Sequence, residues 1–315
     1  MYIMDRPLLS ICIPTRNRCR YLVKNILSIV NQKPFQEGKV EVIVANNASD
    51  DDTDKEIQTL RKKYNIKYIK HTQNIGSEVN FRTIIQEANG ELIKLVNDSF
   101  MFKENSLESI IDIVEANSKA RPYIYFTNRD DIDRTYNFYD FLYNETYEIT
   151  ALITLSIWNE DKFLVGNDDS CDNNNLWCTN TNLKLSKSKD CILECNNKYF
   201  INQNLDVKYF DYSLFKVFYN KFLDLTNKYL EDFEFAVRQK CMEKIKKDLY
   251  FKFFKHWVYI YDTRNDVDSQ YRFLTEENLH KEVFESCKEK KYYLLWVFKY
   301  YLFFVAKRIK HLVFK

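Results

Sequence analysis

Four short polar clusters in the first hundred residues have the residue types that bind a polar ligand, and each follows an apolar run. They read Pro14-Thr15-Arg16-Asn17, Asn46-Asn47-Ala48-Ser49-Asp50-Asp51, Asn74-Ile75-Gly76 and Asn97-Asp98-Ser99. Amide, hydroxyl and carboxylate groups supply hydrogen-bond donors and acceptors. In an open parallel sheet, ligands bind outside the carboxyl ends of the strands. The clusters therefore predict one binding site if the apolar runs are strands of such a sheet. A turn with a helix cap is the alternative for the second cluster.

The apolar runs alternate with amphipathic segments, as strands and helices do in an α/β fold. Predicted strands cover Leu8–Ile13, which Pro14 is expected to end, Val40–Ala45, Ile66–His71, Leu92–Val96 and Tyr123–Thr127. Predicted helices begin at Tyr21, with Asn17 as the cap, and cover Thr53–Tyr64, Glu78–Ala88 and Asn105–Ala116. Strands separated by helices require crossover connections. The pattern predicts a mostly parallel central sheet flanked by helices.

Composition limits the class of protein. The 315 residues are 45% hydrophobic, enough for one large or two modest globular domains. Charges nearly cancel, to +2, which argues against a nucleic-acid partner. The eight cysteines show no paired spacing and the first residues lack a signal-peptide pattern, so we expect free thiols in a cytoplasmic protein. Cys191 and Cys195 could share a face of a helix, but a zinc site would lack a second ligand pair, so core packing is the default interpretation.

Four motifs carry a resemblance to a known family. In their order and spacing, "LSICIPTRNR", "VIVANNASDDDT", "NIGSEVNF" and "NGELIKLVND" resemble the N-terminal half of family 2 glycosyltransferases, nearest to the abequosyltransferase-like branch, over roughly residues 8–115. The resemblance implies a GT-A fold and a nucleotide-sugar donor. It places Pro14, Thr15 and Asn17 at the base pocket and Asn46 or Asn47 at the base or ribose. The family usually has a carboxylate at the Asn46 position. The full predicted donor-binding set is Pro14, Thr15, Arg16, Asn17, Asn46, Asn47, Ser49, Asn74, Gly76, Arg82, Asn97 and Asp98.

The resemblance also implies a divalent cation, Mg or Mn, after the fourth strand, where the family usually has two or three carboxylates. This chain reads Asn97-Asp98-Ser99-Phe100 and keeps one of them. Magnesium is commonly held by one or two carboxylates together with phosphate oxygens and water. Asp98 is therefore the predicted metal ligand. If it cannot hold a metal, a cationic side chain must neutralise the leaving diphosphate, and the candidates are Arg16, Arg18 and Arg82.

An inverting transfer, which is usual in the family, requires a carboxylate that takes a proton from the acceptor hydroxyl. The segment Val165–Cys178, "VGNDDSCDNNNLWC", offers Asp168, Asp169 and Asp172. Trp177 could stack against an acceptor sugar. One of the three aspartates is the predicted catalytic base, and a polar surface loop is the alternative.

Beyond the donor half, the chain changes character. We expect residues 1–210 to form the catalytic domain, with the donor-binding half at about 8–115 and the acceptor side at about 116–210, and residues 211–315 to form a helical, aromatic and basic region. The segment Lys291–Lys315 combines aromatic residues with Lys and Arg, which is typical of a helix lying in a membrane surface. The alternative is packing of its aromatic face on the catalytic domain.

These expectations combine into one predicted function and one alternative. The chain would move a sugar from a nucleotide-sugar donor to a glycan or lipid-linked acceptor of bacterial surface polysaccharide (lipopolysaccharide, lipooligosaccharide or capsule). It would do so in the cytoplasm, peripherally at the inner membrane. The alternative is a catalytically silent GT-A-like module that binds a nucleotide sugar or a partner enzyme. A nucleotidyltransferase is disfavoured because the first loop lacks a glycine-rich, basic phosphate cradle.

Overall fold

The computed structural model describes residues 6–127, 133–151, 155–165, 176–196, 199–203, 208–210, 213–263, 271–273, 278–288 and 293–313. These residues fall into two compact units. The first draws on 1–138, 152–173 and 177–204, and the second on 139–151, 174–176 and 205–315.

The first unit alternates strands and helices. It contains β1 (Leu9–Thr15), α1 (Cys19–Val30), α2 (Lys33–Gln36), β2 (Val40–Asn46), α3 (Thr53–Arg61), β3 (Ile66–Lys70), α4 (Ser77–Gln86), β4 (Leu92–Leu95), β5 (Phe100–Phe102), α5 (Ser106–Asn117), β6 (Tyr123–Thr127) and β7 (Arg134–Tyr136). After α6 (Phe138–Ala151), which belongs mainly to the second unit, come β8 (Leu155–Trp158), a 3₁₀ segment (Asn159–Val165), α7 (Trp177–Lys187), β9 (Ile192–Asn196) and β10 (Phe200–Asn202).

The central sheet has the strand order β3-β2-β1-β4-β8. Its first four strands are parallel, and β8 pairs antiparallel with β4 at the edge. The predicted mostly parallel sheet flanked by helices is confirmed. Strand β6 is found as predicted but pairs with β9 in a second sheet, of order β6-β9-β7. That pairing joins distant segments, and the local pattern does not reveal it.

Burial of aliphatic side chains holds the layers together. Leu9, Ile11 and Ile13 of β1 are fully buried, and so are Leu22 and Ile26 on the inward face of α1. Each such side chain contributes about 1.5–3 kcal/mol when it leaves water.

The backbone of Gly90, just before β4, lies very close to the backbone of β1. A Cβ on Gly90 would lie 2.5 Å from the backbone nitrogen of Ser10. The Gly90 N–H donates to the Ser10 hydroxyl at 2.6 Å.

Three local predictions were wrong. Strand β1 does not end at Pro14 but runs through it to Thr15. Beyond Cys12, β1 pairs with β2 alone and no longer with β4. Proline, which has no N–H to donate, is tolerated where a strand has a neighbour on one side only. Asn17 does not cap α1, since the cap residue is Arg18 and Asn17 takes the left-handed conformation at φ 54°. Cys195 lies in strand β9, not in a helix.

The second unit is largely helical. It contains α6, β11 (Lys208–Phe210), α8 (Phe222–Tyr229), α9 (Phe235–Asp248), α10 (Lys255–Thr263), β12 (Tyr271–Phe273), α11 (Leu279–Lys288) and α12 (Tyr293–Val313). A π-helical segment (Leu249–Phe254) joins α9 to α10, and another (Lys216–Lys221) precedes α8. The indole of Trp296 is fully buried, donates to the Tyr250 carbonyl at 2.7 Å and stacks on Tyr300. Packing of aromatic rings therefore anchors α12 in this unit.

Helix α12 has a second, exposed apolar face. Its exposed residues include Leu294, Phe298, Leu302, Val305 and Ile309, each more than half exposed and spaced three or four positions apart. Within the part of the chain that the structure describes, no helix is long and apolar enough to cross a membrane.

Candidate functional site

A cleft of about 270 Å³ opens at the carboxyl ends of the central strands. It lies where β1 and β4 are neighbours and the strand order reverses direction, which is the usual ligand position in an open α/β sheet. Its lining comes from the ends of β1, β2 and β4 and from the start of α4. The lining residues are Pro14, Thr15, Arg16, Arg18, Asn47, Ser77, Asn80, Phe81, Val96, Asn97 and Asp98.

The Asp98 carboxylate is buried in this cleft and both of its oxygens are engaged. Oδ2 accepts a hydrogen bond from the Thr15 hydroxyl at 2.9 Å. Oδ1 lies 3.2 Å from a guanidinium nitrogen of Arg18. Burial raises the pKa of Asp98, while Arg18 and the Thr15 hydrogen bond act to lower it. The Asn25 amide supports the backbone here by donating to the Asn97 carbonyl at 3.0 Å.

The first two strand-end loops are held together by side-chain to backbone hydrogen bonds. The Asp50 N–H donates to the Asn17 amide oxygen at 2.8 Å, and the Asn17 N–H donates to the Ser49 hydroxyl at 3.0 Å. One oxygen of Asp51 accepts from the Cys19 N–H at 3.0 Å, so it links the starts of α1 and α3. Asn17 and Ser49 therefore shape the loops beside the cleft.

The Asn46 amide uses its donor and its acceptor inside the protein. Its oxygen accepts from the Ser49 N–H at 2.9 Å, and its nitrogen donates to the Tyr68 hydroxyl at 2.9 Å. That hydroxyl donates in turn to Asp54 at 2.9 Å. Burial and the Asp54 hydrogen bond raise the pKa of Tyr68 to about 12. A carboxylate could not make the donation to Tyr68, which gives a physical reason for the amide at this position.

Asn47 connects the end of β2 to the loop before α4. Its amide nitrogen donates to the Asn74 side chain at 2.8 Å and to the Gly76 carbonyl at 3.2 Å, and its oxygen accepts from the Ile75 N–H at 2.9 Å. Gly76 has φ +83°, a conformation that side chains disfavour. The turn starts α4 at Ser77, so the amino terminus of that helix faces the cleft.

The structure brings most of the predicted donor-binding residues together. Six of them line the cleft: Pro14, Thr15, Arg16, Asn47, Asn97 and Asp98. Five others build the loops around it: Asn17, Asn46, Ser49, Asn74 and Gly76. Arg82 lies on α4, outside the lining residues. The predicted bases Asp168, Asp169 and Asp172 lie outside the described residues. The Trp177 ring is buried and packs on Phe81 at 5.8 Å, so it backs the wall of the cleft and is not an open platform.

Sequence reasoning missed several lining residues. Ser77, Asn80 and Phe81 follow Gly76 in the first turns of α4, and a glycine just before a predicted helix is the sequence signal that points to them. Arg18 is among the cations predicted for the diphosphate, but its pairing with Asp98 is not visible in the local sequence.

The described side chains of the cleft do not by themselves fit a metal site. Among the described residues, no group of three His, Cys, Asp or Glu side chains could hold a metal ion. Among the lining residues that the structure describes, Asp98 is the one carboxylate, and its oxygens already accept from Thr15 and Arg18. The seven described cysteines are free thiols, as predicted.

The fold and the cleft define the class of protein. A mostly parallel sheet with a polar cleft at its strand ends is the arrangement of GT-A glycosyltransferases, and solved structures of that fold resemble this one. Staphylococcus aureus TarS 1-349 with UDP-GlcNAc superposes with a TM-score of 0.59 at 18% identity, covering 77% of this chain and 73% of that one. Mannosyltransferase PcManGT from Pyrobaculum calidifontis, solved with GDP-Man and Mn²⁺, gives 0.54 at 12% identity, with 98% and 88% covered.

The sequence assigns the family. The profile described as Glycosyl transferase family 2 matches residues 10–173, just over half of the 315, and the chain belongs to that family. It is 36% identical over 115 residues to abequosyltransferase RfbV of Salmonella typhimurium, covering 34% of each chain. It is 33% identical over 107 residues to the GalNAc(5)-diNAcBac-PP-undecaprenol beta-1,3-glucosyltransferase of Campylobacter jejuni, with 33% and 34% covered. The match thus spans about a third of each relative's length.

Proposed function

We propose that this glycosyltransferase moves a sugar from a nucleotide-sugar donor to a glycan or lipid-linked acceptor of bacterial surface polysaccharide, such as lipopolysaccharide, lipooligosaccharide or capsule. The observation that carries the proposal is the cleft at the β1–β4 reversal, with amide and hydroxyl groups and two arginines on its walls. The two relatives named above act, by their names, in abequose transfer and on an undecaprenol-linked glycan.

The parts of the cleft suit different parts of such a donor. Pro14 and Thr15, with the Asn17 loop beside them, would hold the base and ribose. Negative charge collects on the diphosphate as its bond to the sugar breaks. Arg16 and Arg18 line the same cleft, and the amino terminus of α4, which faces it, favours an anion.

The proton transfer from the acceptor is also part of this proposal. One of Asp168, Asp169 and Asp172 would take the proton from the acceptor hydroxyl in an inverting transfer. Asp98, the predicted metal ligand, is paired with Arg18, so the charge of the diphosphate would be met first by the arginines of the cleft. Residues 1–210 would carry this chemistry, and residues 211–315 would bring the enzyme to its acceptor.

The partner proposed for 211–315 is the anionic surface of the inner membrane. Helix α12 is 21 residues long and contains no Asp or Glu, and its exposed apolar face is accompanied by exposed Lys299, Arg308 and Lys310. Apolar residues flanked by Lys and Arg bind lipid head groups in the plane of a bilayer. A lipid-linked acceptor would be reached from such a position.

Cosedimentation with vesicles tests this partner. The protein should pellet with vesicles that contain an anionic lipid and much less with neutral ones, and Phe298→Asp with Leu302→Asp should abolish pelleting. A matched Asp substitution of Lys24, exposed on α1, is the control. If the same face instead joined two copies of the chain, the double variant would change the mass in solution and vesicle composition would have no effect.

Activity is tested with a panel of UDP, GDP, CMP and dTDP sugars, with Mg²⁺, with Mn²⁺ and with neither, by following release of the nucleotide. The proposal expects turnover with at least one donor. The silent-module alternative is motivated by the single carboxylate at Asn97-Asp98-Ser99. It expects donor binding without turnover, and loss of a measured turnover in Asp98→Ala would contradict it.

A further inference from the structure

The ion pair between Arg18 and Asp98 occupies the position where the family usually gathers carboxylates. The guanidinium nitrogen is 3.2 Å from Oδ1, and the Thr15 hydroxyl is 2.9 Å from Oδ2. A cation approaching Asp98 would be repelled by the guanidinium of Arg18. The position after β4 is therefore already filled by a positive charge that belongs to the protein.

The two partners differ in exposure. The Asp98 side chain is 5% exposed and the Arg18 side chain is 37% exposed, and both line the cleft. A guanidinium carries five N–H donors in a planar fork that suits phosphate oxygens. One nitrogen can hold Asp98 while the others meet a ligand in the cleft.

The charges around the cleft favour an anion over a divalent cation. Asp98 and Arg18 cancel, and Arg16 adds a positive charge on the same wall. A Mg²⁺ or Mn²⁺ ion that bridges a protein to a diphosphate is held by at least one carboxylate of the protein. Among the described lining residues the surplus charge is positive, and positive charge stabilises a diphosphate directly.

We propose that Arg18 neutralises the donor diphosphate and that Asp98 acts as a positioning residue that holds Arg18, so that nucleotide binding does not require a divalent cation. The inference rests on the proposed function, because it names the group that receives the diphosphate in that same cleft.

Isothermal titration of the full chain with UDP, GDP, CDP and dTDP tests the inference, first in excess EDTA and then in excess Mn²⁺. A nucleotide that binds should do so in both buffers, with dissociation constants that agree to within about threefold. In EDTA, Arg18→Ala should weaken that binding by on the order of 10- to 100-fold, since it removes a charge-assisted hydrogen bond. Arg18→Lys keeps the positive charge but lacks the planar guanidinium, so its affinity should lie between those of the parent protein and Arg18→Ala.

One further variant separates a positioning role from metal ligation, and a second serves as its control. Asp98→Asn keeps the shape of the side chain and removes its charge. If Asp98 positions Arg18, this variant weakens binding in EDTA as well as in Mn²⁺; if Asp98 is a metal ligand, it weakens binding in Mn²⁺ alone. Arg20→Ala removes a charge from the first turn of α1, next to Arg18 in sequence but outside the lining residues, and is the matched control.

The outcomes distinguish this inference from the proposed function. Binding that needs Mn²⁺, or an Arg18→Ala variant that binds in EDTA as well as the parent, overturns the inference and leaves the glycosyltransferase assignment of the cleft intact. If no nucleoside diphosphate binds in either buffer while the protein remains folded by circular dichroism, both proposals are refuted.

Discussion

Lys94 is a buried cation in a central strand, and its replacement by Met should change the pH dependence of stability. The side chain is 2% exposed, and its amine donates to the Ser156 hydroxyl at 3.2 Å, on the facing residue of β8. Burial lowers the pKa of Lys94 from 10.5 to about 7. Met has a similar length and shape but no charge, so Lys94→Met removes the titrating group with little change in packing.

The sign and size follow from linkage between protonation and folding. Between pH 7 and 10.5 the unfolded chain keeps the Lys94 proton and the folded protein has lost it. The free energy of unfolding therefore rises with pH in this window, by about 1.4 kcal/mol per unit from this one group. Lys94→Met lacks this contribution. The variant should be the more stable protein near pH 7, by a few kcal/mol, and its advantage should shrink by about 3 kcal/mol over two pH units.

Urea unfolding of both proteins at several pH values between 7 and 9.5 measures this difference. The free energy of unfolding of the parent must be subtracted from that of the variant at each pH. Burial raises the pKa of the thiols of Cys12 and Cys178, which makes both proteins less stable as pH rises. Lys24→Met, on the exposed face of α1, is the matched control. A difference that does not change with pH would refute the reasoning. It would mean that Lys94 stays charged in the fold, helped by the Phe126 ring 5.1 Å from its amine.

Three further substitutions test the fold. Gly90→Ala should lower the free energy of unfolding by about 1–3 kcal/mol in urea, because the new methyl group meets the backbone of β1. Asn46→Asp should lower it by about 1–3 kcal/mol, because the donation to Tyr68 is lost, and the loss should show as a lower melting temperature. Trp296→Ala should cost about 3–5 kcal/mol in urea through the cavity it leaves and the unmet Tyr250 carbonyl.

Each of these has an outcome that contradicts it. An unchanged midpoint in Gly90→Ala would show that the turn can move away from β1. A stable Asn46→Asp protein would mean that the Tyr68 hydroxyl finds another partner. Trp296→Phe preserves most of the buried ring and should cost clearly less than the Ala variant; equal losses would point to the hydrogen bond as the main contribution.

Hydrophobic periodicity was sufficient to predict the strands and helices of the donor half. Runs such as Val40–Ala45 are buried on both faces of the central sheet, and a continuous apolar run is the local mark of such a strand. Strand ends were less accurate, as the extension of β1 through Pro14 shows, because that proline is tolerated only where β1 has lost β4 as a neighbour. The assignment of β6 to a second sheet depended on β9, some 70 residues further along.

The sequence predicted which residue types form the candidate site, but not which residues hydrogen-bond to each other. Asn and Asp after each strand indicated a polar site whatever their contacts. Asn46 and Asn47 belong to the same motif, yet the first bonds to Tyr68 and the second to Asn74. Tyr68 lies in β3 and Asn74 in the loop before α4, so the division of roles follows from the folded positions.

The sequence by itself determined the alternating layers, the family, and the placement of polar clusters at one edge of the sheet, because periodicity and turn residues act over short distances. The tertiary structure decided what those clusters do. Arg18 and Asp98 are 80 positions apart and meet because β1 and β4 are neighbours in the sheet. No local pattern encodes that meeting, which depends on strand order.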